Sequence, residues 1–165
     1  MNTGRVRPYV ALVMTTLLFA GCAGSGGGSP ATSPLDLPAV TTALRSAGIA
    51  VVDVNDNLNA RDGAWRCLPG SFRLARVSQQ PPPARYMPGD KTAVDVLLFT
   101  SDAARKAAQS AIGADGQVRA QGCAIMVEWV ATPHVFGARN TLLVIATDDP
   151  AALDAVRAAA TRLGR

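Results

Sequence analysis

The 165-residue chain has few of the side chains from which enzymes build catalytic centres. It contains a single histidine, His134, and a single glutamate, Glu128. One histidine is too few for a multi-ligand zinc site, and no partner for Glu128 indicates the carboxylate pair of a glycoside hydrolase. A Ser–His–Asp triad that uses His134 is compatible with these counts, but no G-x-S-x-G motif places its serine.

The sequence also lacks an apolar run long enough to span a membrane. The apolar stretch from Tyr9 to Ala20 is shorter than the about 20 residues that a spanning helix needs. Arg5 and Arg7 precede this stretch and small residues follow it. This order of a positive segment, a short apolar segment and small residues is typical of a secretory signal peptide.

Concentrated positive charge is a third feature that is missing. Arg5 and Arg7 lie within the predicted signal peptide, so its removal lowers the formal net charge from +4 to +2. The other cations are scattered along the chain, whereas a nucleic-acid-binding domain usually concentrates them on one face. We therefore expect no nucleic-acid partner.

The end of the apolar stretch predicts a lipid anchor. The sequence Leu18-Phe19-Ala20-Gly21-Cys22 resembles the lipobox of bacterial lipoproteins, although Phe19 replaces the usual leucine. The resemblance implies cleavage after Gly21, attachment of diacylglycerol to Cys22, and a position on the extracytoplasmic side of a cell-envelope membrane. Each acyl CH₂ that is buried contributes about 0.8 kcal/mol, and two chains hold a protein stably. A secreted protein with a chance cysteine at this position is the alternative.

These features divide the chain into three parts. Residues 1–21 are the predicted lipoprotein signal peptide. Residues 22–36 are rich in Gly, Ser, Pro and Ala and show no apolar periodicity, so we expect a flexible tether. Residues 37–165 are long enough for one domain with its own core.

Two cysteines remain in the predicted domain, Cys67 and Cys123. An even pair outside the cytoplasm favours a disulfide, and closing the long loop between them would stabilise the fold by roughly 4 kcal/mol. Two buried thiols are the alternative. No metal site and no cofactor site are predicted.

The pattern of apolar residues predicts three helices, at residues 38–47, 102–112 and 150–163. It also predicts five strands, at residues 49–54, 71–77, 93–100, 124–130 and 141–147, with an extra short strand near residues 117–120 as an alternative. This order indicates an α+β fold, with a mainly antiparallel sheet and helices on one face. The segment from Ala93 to Leu163 resembles the β-α-β-β-α unit of ferredoxin-like folds.

Three side chains near the predicted disulfide are candidates for binding. Trp65 is close to Cys67 in sequence, and Trp129 and His134 follow Cys123. Aromatic rings of this kind pack in cores or form binding surfaces when they are exposed. Core packing of the rings and a simple polar role for His134 are the alternatives.

The segment Trp129-Val130-Ala131-Thr132-Pro133-His134 carries a family resemblance. With the segments Leu44–Gly48 and Asp148–Pro150, it resembles a group of small uncharacterised bacterial lipoproteins and secreted proteins with a W-x-x-x-P-H pattern. The resemblance implies export and an α+β domain, and it brings no reaction with it.

We therefore expect a membrane-anchored cell-envelope lipoprotein with a non-enzymatic binding or accessory domain. Its partners would be the membrane, through the lipid on Cys22, and an envelope protein or a small ligand. No catalytic residues are predicted. An envelope hydrolase that uses His134 and a purely structural envelope protein are the two alternatives.

Overall fold

The most apolar strand of the sequence lies inside the sheet. This strand, β7 (Thr141–Ala146), is buried along its whole length. It pairs antiparallel with β3 (Ala93–Phe99) on one side and with β6 (Pro133–Ala138) on the other. The computed structural model describes residues 33–60, 63–80 and 93–165. The predicted signal peptide and the lipidation site Cys22 lie outside these ranges.

Two further strands complete a five-stranded sheet. They are β1 (Asp53–Leu58) and β2 (Phe72–Ser78), and the strand order is β1-β2-β3-β7-β6. All neighbouring strands are antiparallel. A separate hairpin consists of β4 (Val118–Ala120) and β5 (Cys123–Ile125). The predicted α+β class with a mainly antiparallel sheet is confirmed.

Each of the three helices begins at a side chain that caps it. They are α1 (Leu37–Ser46), α2 (Asp102–Ser110) and α3 (Pro150–Leu163). The capping oxygens belong to Asp36, Ser101 and Asp149, and each accepts a hydrogen bond from a backbone N–H in the first turn. Such caps stabilise a helix by about 1 kcal/mol, which explains why the sequence located these helices well.

The two faces of the sheet carry different layers. On the first face, α1 and α3 pack against strand residues that include Val96 and Leu143. On the second face, Leu97 and Val144 pack against Ala108 of α2 and against the hairpin. The expectation of helices on one face thus holds for α1 and α3, while α2 lies on the other face. The periodicity of a helix shows that it has a buried side, but not which sheet face it covers.

A β-α-β-β-α order is present in the C-terminal half as β3-α2-β6-β7-α3, but β6 takes the place of the predicted strand Ala124–Val130. The β4–β5 hairpin is inserted between α2 and β6. Because α2 and α3 lie on opposite faces of the sheet, the helices do not share one layer as they do in a ferredoxin-like fold.

Three strand boundaries differ from the sequence-based expectation. Strand β1 begins at Asp53 rather than Ile49, because an edge strand with one partner tolerates polar side chains. The sequence around Pro133 predicts a break between strands, but β6 begins at this residue. Proline is tolerated at the first position of an edge strand. The expected strand from Ala124 to Val130 ends at Ile125.

Asn140 fixes the N-terminal side of the domain. Its side chain accepts a hydrogen bond from Leu35 N–H (2.7 Å) and donates to the carbonyls of Leu35 (3.2 Å) and Phe99 (2.9 Å). Leu35 was assigned to the tether, so ordered structure begins before the predicted boundary. Residues Ser33–Arg165 form one compact unit. None of the helices in the described ranges combines the length and hydropathy needed to cross a bilayer.

Candidate functional site

A disulfide joins two segments on the second face of the sheet. It links Cys67 to Cys123, which are 56 residues apart in sequence and 5.6 Å apart between Cα atoms. Cys67 follows a short 3₁₀ turn, Gly63–Trp65, and Cys123 begins β5. The predicted disulfide is confirmed, and it ties the 3₁₀ turn to the hairpin.

The 3₁₀ turn is also fixed to the sheet by a buried polar network. Arg76 on β2 donates to both carboxylate oxygens of its cross-strand neighbour Asp95 on β3, at 2.6 and 3.0 Å. The indole N–H of Trp65 donates to the same carboxylate at 3.0 Å. Trp65 is only 2% exposed, and Arg76 and Asp95 are both buried. Asp95 interrupts an apolar strand in the sequence. Its buried carboxylate accepts hydrogen bonds both from within the sheet and from the 3₁₀ turn packed on it.

Trp65 supports a second tryptophan that lies closer to solvent. The ring centroids of Trp65 and Trp129 are 5.9 Å apart, and the planes are tilted by 51°, a geometry that favours aromatic pairing. Gly116 lies against the Trp129 ring, since a Cβ at this glycine would sit 2.9 Å from Nε1. The left-handed φ of +72° at Gly116 is a second reason why glycine suits this turn.

A groove runs between the 3₁₀ turn and the segment that follows β5. We call it the hairpin groove. Its volume is about 620 Å³, and it is lined by Gly63, Ala64 and Arg66 on one wall and by residues 125–130 on the other. The volume is within the range of small-molecule sites. The disulfide links the two segments that form the walls, because Cys67 directly follows Arg66 and Cys123 lies two residues before Ile125.

The 125–130 wall exposes apolar side chains. Met126 is 94% exposed and Val130 is 46% exposed, whereas Val127 and Trp129, which alternate with them, are half-buried. This alternation is typical of an extended chain. The Gln117 side chain holds the segment in place, since its amide donates to the Val127 carbonyl (2.8 Å) and its oxygen accepts from the Val127 N–H (2.7 Å).

An ion pair between residues close in sequence holds the turn beside Trp129. Arg119 on β4 donates to both oxygens of Asp115, at 3.1 and 2.5 Å. These hydrogen bonds hold the pKa of the Asp115 carboxyl below its usual value. The turn between α2 and β4 is thereby fixed next to Trp129. Within the ranges that the structure describes, no group of three or more His, Cys, Asp or Glu side chains could hold a metal ion.

The structure separates the three residues predicted to bind. Trp129 lines the hairpin groove and Trp65 supports it from within the core. His134 pairs across the sheet with Ile145, whose side chain belongs to the first face. Paired residues of neighbouring strands point to the same face, so His134 lies on the side opposite the groove. In the described part of the chain, no hydrogen bond joins His134 to a serine or an aspartate.

Sequence reasoning missed most of the groove. Met126, Ala64 and Arg66 line it but belong to no recognisable motif, and Val130 occupies an unspecified position of the W-x-x-x-P-H pattern. A usable signal was present in the predicted strand Ala124–Val130, where Met126 and Val130 share one side with the charged Glu128, a pattern that favours exposure of that side.

Comparison with known proteins gives no functional assignment for this chain. No protein-family model matches it, and neither the curated proteins nor the solved structures include a significant match.

The buried Asp95 network makes a prediction about stability. Asp95→Leu leaves the Arg76 guanidinium buried without this carboxylate, so the free energy of unfolding should fall by about 3–5 kcal/mol. Combining it with Arg76→Leu should restore roughly half of that loss, since Trp65 still lacks its acceptor. Urea unfolding followed by tryptophan fluorescence measures both changes. A double variant less stable than Asp95→Leu alone would contradict the proposed role of the pair.

Proposed function

We propose that this protein is a membrane-anchored lipoprotein of the bacterial cell envelope. We further propose that its domain binds an apolar segment of another envelope protein in the hairpin groove. In this proposal the protein is a binding or accessory component rather than an enzyme.

The anchor part of the proposal is supported by the sequence. The lipobox-like ending at Cys22 and the Gly- and Ser-rich segment after it are the features expected of a lipid anchor with a tether. Inside the domain, Asn140 holds the backbone of Leu35, which gives the tether a defined point at which it joins the fold.

The observation that carries the binding proposal is the exposed apolar wall of the groove. A Met that is 94% exposed is costly to leave in water, since burying such a side chain contributes about 1.5–3 kcal/mol. The wall is nevertheless held rigidly, by the disulfide and by the paired hydrogen bonds of Gln117. A preformed apolar surface loses little conformational entropy on binding, and exposed apolar patches commonly mark interaction sites.

The position of the groove within the domain suits an anchored protein. Leu35 joins the domain beside Phe99 and Asn140, at the end of β3 and the start of β7. The groove wall at Trp129 packs near Pro133, at the start of β6, which pairs with Ala146 at the end of β7. The groove and Leu35, where the described chain enters the domain, therefore lie toward opposite ends of the sheet.

The two alternatives from the sequence stay predictions. A hydrolase needs partners for His134, and a purely structural protein needs no groove at all. No observation among the described residues favours either of them over the binding proposal.

The anchor is tested by fractionation. In the proposal, wild-type protein is recovered in the membrane fraction and needs detergent for extraction. Cys22→Ala removes the sulfur that carries the lipid, so most of the protein should become soluble, with a mass that shows no acyl chains. Ser29→Ala serves as the control, because it changes a tether residue without touching the lipobox or the disulfide. Membrane retention of Cys22→Ala that still requires detergent would contradict lipid anchoring.

The groove is tested by site-specific photo-crosslinking in intact cells. A photoreactive amino acid at Val130, inside the groove, should form an adduct with one envelope protein. Adding Met126→Asp, which places a charge on the apolar wall, should reduce the adduct about tenfold or more, whereas Met126→Leu should preserve it. Immunoblots quantify the adducts.

The control is the same photoreactive residue at Val52. This side chain is 57% exposed but lies outside the groove, so its adducts should not respond to Met126→Asp. If Val130 gives the same adducts as Val52, or if Met126→Asp leaves the Val130 adduct unchanged, the groove is not the binding surface.

A further inference from the structure

We infer that the occupant of the hairpin groove is an extended polypeptide segment that adds to the outer edge of β5 as a third strand. This inference rests on the proposed function and specifies its ligand. The partner would be recognised by its backbone together with apolar side chains at alternate positions, as in other cases of strand addition.

The register of the hairpin shows which way the backbone of β5 points. Ala120 pairs with Cys123 across a two-residue turn, and Val118 pairs with Ile125. In such a hairpin these residues direct their N–H and C=O groups toward each other, while the residues between them direct theirs outward. Arg119 shows this outward direction on β4, where its N–H donates to the carbonyl of Ala111 at 2.7 Å.

The same alternation continues beyond the end of β5. Both backbone groups of Val127 bind the Gln117 side chain, so they point toward the β4 side, like those of Ile125. The backbone groups of Ala124, Met126 and Glu128 therefore point to the outer side. In the described ranges, no hydrogen bond pairs the backbone of Met126 or Glu128 with another residue.

The groove follows this outer edge. Successive side chains of an extended segment point to opposite faces, so a cavity on one face would touch only every second residue. The hairpin groove instead touches all six residues from Ile125 to Val130. Such a groove runs alongside the backbone, where an added strand would lie.

The other strand edges in the described part of the chain carry features that disfavour strand addition. Strand β1 is interrupted by a bulge between Asn55 and Leu58 and carries charged residues, features that blunt an edge. Strand β6 begins with Pro133, which has no N–H to donate. The outer edge of β4 is already paired, since Arg119 binds Ala111.

The charges on the two walls define the chemistry of the partner. Arg66 on one wall and Glu128 on the other are both exposed and line the groove. Within the described residues, neither of them forms a salt bridge. A complementary strand carries apolar residues that contact Val127 and Trp129, an acidic residue opposite Arg66, and a basic residue opposite Glu128.

The test uses synthetic peptides and the mature protein with its disulfide intact. The probe is a fluorescent peptide of about nine residues, which covers the edge at about 3.3 Å per residue. Valine and threonine alternate in it, with one central glutamate and terminal lysines. Two derivatives are N-methylated at alternate amides, one at the odd and one at the even positions. Fluorescence anisotropy gives the dissociation constants.

Strand addition predicts that the two methylated peptides behave differently. Methyl groups on the amides that face β5 should weaken binding about tenfold or more, whereas methyl groups on the amides that face away should change it less than about threefold. Replacing the central glutamate by lysine should weaken binding to the wild type, and less so to Arg66→Gln.

Substitutions in the protein itself test the same β5 edge. Met126→Pro removes one outward N–H and should weaken peptide binding about tenfold. Met126→Ala keeps that N–H and should retain most of the affinity. In the described residues the Met126 N–H has no partner, its side chain is almost fully exposed, and Ile125 before it is extended. We therefore expect neither change to affect folding, which the unfolding midpoint checks.

Three outcomes would overturn the inference. The first is that no peptide of this pattern binds. The second is that the two methylated derivatives bind equally, or that Met126→Pro and Met126→Ala behave alike. The third is a dimer of the protein that is lost in Met126→Pro while peptides fail to bind, which would make a second copy the occupant. In each case, a Val130 adduct that is sensitive to Met126→Asp would leave the proposed function standing.

Discussion

The carboxylate of Asp95 accepts hydrogen bonds from two layers of the protein at once. It binds Arg76 within the sheet and Trp65 in the 3₁₀ turn above it. Because removing charged partners from water is costly unless each is satisfied, this network fixes where Trp65 lies. Trp65 in turn supports Trp129, and the disulfide that follows the turn positions β5. The position of the groove walls therefore depends on the buried Arg76–Asp95 ion pair between β2 and β3.

Most of the fold was predictable because its signals are local. Capping residues such as Ser101 and Asp149 mark helix starts, and the apolar run of β7 predicts a strand inside the sheet. The misjudged elements depend on tertiary context. Strand β6 was missed since Pro133 opens it, and a proline is acceptable there only because the strand lies at an edge. The position of α2 on the second face reflects chain topology, which periodicity does not encode.

The candidate site was predictable only in part. The disulfide followed from the even number of cysteines in the domain and from the predicted compartment, and Trp129, which follows Cys123 in sequence, lines the hairpin groove. His134 was grouped with Trp129 because they are close in sequence, but the start of β6 turns it toward the other face. The Gln117 side chain takes the place of a strand partner for Val127. Because this contact turns the Val127 backbone toward β4, the backbone of Met126 faces outward. Such a long-range pairing leaves no pattern in a single sequence.

Amide hydrogen exchange, measured residue by residue by NMR, shows directly whether an unpaired backbone edge faces the hairpin groove. In the unbound protein the Val127 amide should be protected, because it donates to Gln117, while the amides of Met126 and Glu128 on either side should exchange rapidly. This alternation should vanish in Gln117→Ala. Uniform protection from Ile125 to Val130, or rapid exchange at Val127, would contradict the account.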